Sequence, residues 1–341
     1  MRRYNVRARM KYRTLGDTGI EVSSVGFGLW TISTGWWGIE DDQSGVELLR
    51  KAYDSGVTFF DTADTYGQGK GEMILADALG DVRDRIVIAT KFGYDFYNYH
   101  GERDGHKELP QDFSPKHITF AVEQSLRRLG TDYIDIYQIH NPRMWAVRSG
   151  ELFETLDKLK AEGKIRCYGA ALGPANGWEA EGRALVRERG ITTLQIIYNI
   201  LEQDPGRSLI AAAEQHGVSV FVRVPHSSGL LEGKYTSDTT FPASDHRSHR
   251  PREWLVEGLQ KLDKLAFLSE DTGRTIGQAA IQFVLDSPAV AAVLPNVYDA
   301  EQLAEFVDAS DTPPLSEDEI SRIADLYERN FDLAPVAATG S

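Results

Sequence analysis

Three successive apolar runs of this chain each end in a side chain able to hold charge or move a proton. Phe59-Phe60 leads into Asp61, with Tyr66 shortly after it in Asp61-Thr-Ala-Asp-Thr-Tyr66-Gly67. Ile86-Val-Ile-Ala-Thr leads into Lys91, and Ile134-Asp-Ile-Tyr-Gln-Ile leads into His140. Taken singly, each has an ordinary explanation: a turn-forming aspartate, a loop tyrosine, a lysine at a strand mouth, a hydrogen-bonded histidine. Together, at the same end of neighbouring strands about 4.8 Å apart, they converge on one site. A desolvated Lys91 needs an anion, and Asp61 supplies it. The ammonium then favours the phenolate of Tyr66, which tunes that phenol to give or take a proton near neutral pH. His140 orients a carbonyl oxygen or helps relay the proton. The set suits protonation of an alkoxide forming on a carbonyl carbon. It holds no electron source, so a cofactor must bring the hydride. No Ser or Cys nucleophile accompanies the histidine in a recognisable motif, which disfavours a hydrolase.

The strands that must position these residues read as Val25–Leu29, Thr58–Asp61, Ile86–Thr90, Ile134–Ile139, Cys167–Ala171, Thr193–Tyr198, Val218–Val222 and Ala291–Leu294. Between them run amphipathic helices, among them Asp42–Ser55, Lys116–Leu129, Glu151–Glu162 and Ser208–His216, with apolar residues three and four apart. Eight strands alternating with helices predict a closed (β/α)8 TIM barrel. An open doubly wound sheet is the alternative, weakened because no Gly-x-Gly-x-x-Gly follows a strand. A β-hairpin is expected over Tyr12–Ser24 around Asp17-Thr18-Gly19, and an extra C-terminal helix over Leu315–Arg329. Gly93–Phe113 and Glu232–Arg252 are long loops after the third and seventh strands, where barrel active sites are built. The domain reading is one barrel over residues 10–335. Residues 1–9 read as a disordered extension ahead of an alternative start at Met10, and 337–341 as a frayed tail.

Composition narrows the function. The chain has 341 residues, with 37 Lys plus Arg against 51 Asp plus Glu, a net charge of −14. That balance argues against sequence-independent nucleic-acid binding. No apolar run reaches the length of a membrane helix, and the Arg-rich start lacks the apolar core of a secretory signal. Cys167 is the only cysteine, so neither an internal disulfide nor a cysteine zinc cage is available. His246 and His249 have no third ligand in sequence, so no metal is expected. A cytoplasmic protein acting on a small molecule is the expectation, with assembly into a homo-oligomer left open.

The motifs carry a family resemblance. Phe60-Asp-Thr-Ala-Asp-Thr-Tyr-Gly67, Ala89-Thr-Lys-Phe-Gly93 and Asp135-Ile-Tyr-Gln-Ile-His140 closely resemble the aldo-keto reductases, as do Gly163-Lys-Ile-Arg166, Leu194-Gln-Ile-Ile-Tyr-Asn199 and Gly229-Leu-Leu-Glu-Gly-Lys-Tyr235. The likeness runs from about Met10 to Leu326 and lies near the branch of potassium-channel β subunits, whose members often lack a histidine at the place of His140. It implies a barrel that reduces aldehydes and ketones with NADPH, with a catalytic tetrad of Asp61, Tyr66, Lys91 and His140 and Tyr66 as general acid.

The resemblance also implies where the cofactor lies. Trp30 and Gln195 fall beside the nicotinamide. Arg223 stands where the family stacks an aromatic ring, a role a guanidinium plane can also fill. Val224, Pro225, His226, Ser228 and Gly229 match the loop around the pyrophosphate, with Lys234 as a phosphate partner and the 245–250 run as further positive charge. Asn296, Tyr298, Gln302 and Glu305 match the adenosine side. Two departures stand out. Gly169-Ala170-Ala171-Leu172 lacks the family's Ser and Asn, and the 296–305 stretch has no Lys or Arg for a 2′-phosphate, so NADH is the alternative to NADPH. Trp36, Trp37, Tyr94 and Trp145, with Phe96, are candidates for an apolar substrate wall suited to a bulky or aromatic carbonyl. The rival reading is a nucleotide-binding regulatory subunit that senses redox state with little turnover.

Overall fold

The computed structural model describes residues 10–34, 41–99, 108–173 and 178–333. Trp36, Trp37, residues 1–9 and the tail from 337 therefore lie outside the described residues. Chain order begins with the strands β1 (Tyr12–Thr14), β2 (Glu21–Ser23) and β3 (Phe27–Gly28), followed by helices α1 (Trp30–Ser33) and α2 (Asp42–Asp54). There follow β4 (Phe59–Asp61), α3 (Lys70–Leu79), β5 (Val87–Phe92), α4 (Pro115–Leu129), β6 (Ile134–His140), α5 (Met144–Val147), α6 (Gly150–Ala161) and β7 (Ile165–Ala171). The chain continues through α7 (Glu179–Glu188), β8 (Thr193–Ile197), α8 (Gly206–Gln215), β9 (Ser219–Arg223), α9 (Arg252–Lys264), α10 (Ile276–Leu285), β10 (Val290–Leu294), α11 (Ala300–Asp308) and α12 (Glu317–Glu328).

Strands β3 to β10 are parallel and lie in sequence order. A parallel bridge between Val25 and Val293 joins the first to the last, with Gly26 N donating to Val293 O (2.9 Å) and Val293 N to Ser24 O (2.9 Å). The sheet thus closes into the expected barrel. Burial of every residue of β5 and β6 follows from a ring of helices outside and a packed interior within. Helix α2 shows how the outer ring is specified. Val46, Leu48, Leu49 and Ala52 bury one face, and the Asp41 side chain caps its start by accepting from Ser44 N at 2.7 Å.

Inside the barrel the two-residue period of a strand sorts apolar from polar side chains by height. Phe59, Val87, Ala89, Ile136, Cys167, Phe221, Ala292 and Leu294 form a lower core. Two residues further along their strands stand Asp61, Lys91, Gln138 and Arg223, with His140 two beyond Gln138. Leu15, Ile20 and Val22 of the β1–β2 hairpin join the lower core and seal its N-terminal end. Two strands run further than the apolar pattern suggests. Lys91 and Phe92 belong to β5 and His140 to β6, because Lys91 pairs with Gln138 and His140 with Ala171.

The hairpin packs under the inner core, at the end of the barrel away from Asp61, Lys91 and His140. Leu15→Ala, at a fully buried position, should cost about 3 kcal/mol of stability in urea unfolding while activity per folded molecule is kept.

Candidate active site

The loop from β4 to α3 carries two of the four expected residues. Asp61 ends the strand, and Tyr66 follows in a tight turn whose Gly67 has φ +58°. A Cβ on Gly67 would sit 2.4 Å from the Ser33 carbonyl oxygen, so only glycine lets the turn press against α1. The same packing brings the Trp30 ring edge-on to Tyr66, with centroids 5.1 Å apart.

Lys91 rises from β5 with none of its surface exposed. Its Nζ donates to Asp61 Oδ1 (2.5 Å), the Thr62 carbonyl (2.7 Å) and the Tyr66 hydroxyl oxygen (3.3 Å). Burial on its own would pull the ammonium's pKa down. The charge of Asp61 and the contact with Tyr66 more than reverse this, leaving it above the ordinary lysine value. The second oxygen of Asp61 accepts from two buried amides, Gln138 Nε2 (2.8 Å) and Gln195 Nε2 (2.9 Å). Removing one member of such a pair typically costs about 3–5 kcal/mol, because the other charge stays buried.

His140 completes the group at the end of β6. Its ring lies edge-on to Tyr66 (6.1 Å) and to Tyr94 (4.9 Å). Burial, then the charges of Lys91 and Arg223, push its pKa well below the ordinary histidine value, so the imidazole is neutral. Its Nδ1 has no hydrogen-bond partner among the described residues. Tyr94 is held from behind: Asn141 Nδ2 donates to its hydroxyl (2.7 Å), and that hydroxyl donates to Glu108, which pairs with Arg143 at 2.7 Å. The four expected chemical residues thus come together, with Trp30 and Tyr94 beside them. Trp145 does not join them: it is 56% exposed on α5, against Phe113. Phe96 stacks on Tyr97.

The sequence reading missed Gln138. The signal was present, since Gln138 stands two residues before His140 on one strand and so shares its face. Gln195 was expected to face a carboxamide, and here its amide is on Asp61.

Dinucleotide fit is tested by the donors around β9 and β10. Arg223, partly buried, donates to the Leu172 carbonyl at 3.1 Å. The following turn is built from left-handed backbone at Val224, Ser227, Ser228 and Gly229, beginning ahead of Pro225. Arg250 donates to Ser228 Oγ (3.1 Å), Arg247 sits on the Tyr235 hydroxyl (2.5 Å), and Tyr235 in turn donates to the Ser228 carbonyl (2.9 Å). Lys234, five residues after Gly229, is exposed. Arg247 is ion-paired with Asp245 (2.6 Å), so Arg250 supplies the cationic donor to this serine-rich turn, which fits a phosphate-bearing ligand. His226 is turned inward: its Nε2 meets the Gly277 carbonyl (3.1 Å), its ring stacks on Phe306 (4.2 Å), and burial lowers its pKa to about 4. On the adenosine side, Tyr298 and Gln302 both donate to the buried Glu232 (3.1 and 2.9 Å). Glu305 accepts from Thr275 (2.5 Å), and Asn296 is partly exposed. No group of three or more potential metal ligands occurs among the described residues, and no described helix is long and apolar enough to cross a membrane.

Comparison with known proteins shows the family. The model of the aldo/keto reductase family matches residues 24–328. Aldo-keto reductase YhdN of Bacillus subtilis is 33% identical over 287 residues, covering 82% of each chain. The NADH-specific methylglyoxal reductase of Escherichia coli is 31% identical over 314 residues, 88% of this chain and 93% of that one. A solved aldo/keto reductase from Klebsiella pneumoniae, in complex with NADP and acetate, superposes with a TM-score of 0.69 at 25% identity, over 92% of this chain and 94% of that one. The chain belongs to the aldo/keto reductase family and is an oxidoreductase.

Both buried histidines have pKa values below that of a free imidazole, so unfolding takes up protons once the pH falls below about 6.5. Stability is therefore fully present above that pH and is lost progressively towards acid. The denaturant midpoint should fall between pH 6.5 and 5, and His140→Asn should flatten the slope. An unchanged slope in the variant would show that His140 is not held neutral.

Proposed function

We propose that this oxidoreductase reduces aldehydes or ketones to alcohols, reversibly, with Tyr66 as the general acid. The observation that carries the reading is the contact between the Lys91 ammonium and the Tyr66 hydroxyl oxygen at 3.3 Å, with Asp61 at 2.5 Å behind the lysine. The phenol's proton passes to the carbonyl oxygen as that oxygen gains negative charge. The charge then left on the phenol oxygen falls beside an ammonium already in place, which stabilises it without reorganisation. Asp61 and its two amide donors keep the ammonium neutralised and fixed. His140, uncharged, presents a ring nitrogen to the carbonyl oxygen and orients it. In the alcohol-oxidising direction the same phenol oxygen accepts the proton. A reduced nicotinamide dinucleotide, when bound, supplies the hydride. Trp30 and Tyr94 form apolar walls that exclude water from the reacting carbon.

NADPH is the cofactor we assign. It is supported by the family match, by the NADP held by the Klebsiella relative, and by the Arg250 donor on Ser228. Trp30, Arg223, Val224, Pro225, Ser228 and Gly229 are the residues that would hold its nicotinamide and pyrophosphate portion. NADH is the second reading, favoured by the acidic and cation-free stretch from Pro295 to Glu305 and by the NADH-specific Escherichia coli relative. The ratio of kcat/KM for the two cofactors decides between them.

Tyr66→Phe should lower kcat for a generic aldehyde by about a thousandfold or more while leaving the dinucleotide Kd within about threefold of the parent protein. Full turnover in that variant overturns the mechanism. Failure of the parent protein to oxidise or reduce any member of a carbonyl and alcohol panel would instead favour a redox-sensing subunit.

A further inference from the structure

Charge at the mouth of the barrel is unevenly matched. Lys91 has Asp61 at 2.5 Å. Arg223, at the end of β9 and in register with Leu294, donates only to the neutral carbonyl of Leu172, and no carboxylate of the described residues lies within ion-pair distance of it. The two acids that feel its field are committed elsewhere. Asp61 has one oxygen on Lys91 and the other on two amides. Glu202 accepts from Asn199 Nδ2 (2.9 Å) and Ser227 Oγ (3.2 Å). Arg223 also shares the field of Tyr66 and Tyr94, and its charge is one of those that keep His140 neutral. A partly buried cation without a partnered anion is costly, and it stands in the same mouth as the proton-donating phenol.

Hydride transfer changes the charge of the ring that must approach that phenol. The nicotinamide ring is neutral when reduced and cationic when oxidised. We infer that Arg223 sets the oxidation-state preference of the site, its unmatched charge favouring the reduced dinucleotide over the oxidised one. The inference rests on the carbonyl-reductase reading, because that reading places a nicotinamide beside Tyr66. The phosphates are the same in both oxidation states, so their contacts cancel when the two affinities are compared. The oxidised cofactor then leaves the site more readily than the reduced one does, and the protein is biased towards carbonyl reduction where both forms are present.

Calorimetric titration of the cofactor-free protein with NADPH and with NADP+ tests this directly, alongside Arg223→Gln and Arg223→Lys. The parent protein should bind NADPH about tenfold or more tightly than NADP+, the scale of one charge facing another at a partly buried position. Arg223→Gln should shrink that ratio by about tenfold, chiefly by improving NADP+ binding, and Arg223→Lys should keep most of it. A structural role alone would weaken both forms together. Equal affinities in the parent protein, or a ratio unmoved in Arg223→Gln, overturn the inference while leaving the reductase reading intact. So does a raised KM confined to carboxylate-bearing substrates with an unmoved ratio, which would make a substrate anion the partner of Arg223. Binding of neither dinucleotide, nor of NADH and NAD+, overturns the reductase reading and this inference with it.

Discussion

An ammonium with no exposed surface persists only where anionic and dipolar partners replace the water it has lost. Lys91 meets that constraint through Asp61, the Thr62 carbonyl and the Tyr66 oxygen, and the remaining features of the site serve this arrangement. Asp61 must stay fixed, and Gln138 from β6 and Gln195 from β8 hold its second oxygen. Tyr66 must stay within reach, and the Gly67 turn and the edge of Trp30 hold it there. One buried charge thus ties together β4, β5, β6 and β8.

The barrel makes this affordable by keeping its apolar and polar layers apart. Each strand spends its lower inward positions on packing and its upper ones on chemistry, and the two differ by only two residues. The apolar clusters inside the barrel and between strands and helices carry the packing, so the upper layer tolerates an unmatched arginine, a neutral histidine and left-handed backbone at Val224 and 227–229. Strain and unusual charge sit at the end of the strands where they cost the fold least.

Much of this was legible in the sequence. All eight strands, the hairpin and the final helix were readable, because apolar runs alternating with three-four periodic segments admit few folds. Asp61, Lys91 and His140 could be singled out because polar residues that are ordinary one at a time end three neighbouring apolar strands on the same side. What was not legible is pairing between residues distant in sequence. Gln138 looks like one more residue of a buried strand until its partner, 77 positions away, is known. Tyr298 and Gln302 resemble ligand contacts by motif, and here both donate to Glu232, in the segment after the neighbouring strand β9. His226 reads as part of a phosphate loop, and it is the ring stacking of Phe306 that turns it inward. Trp145, an aromatic residue after a strand, stays 56% exposed.

The hairpin has a consequence for traffic. With Leu15, Ile20 and Val22 packed against the inner strand residues at one end of the cylinder, Tyr66 faces the other end, where the strands finish. On the proposed reading, a long dinucleotide and a small carbonyl compound approaching from that one end would queue: whichever reaches deeper has to arrive first and go last.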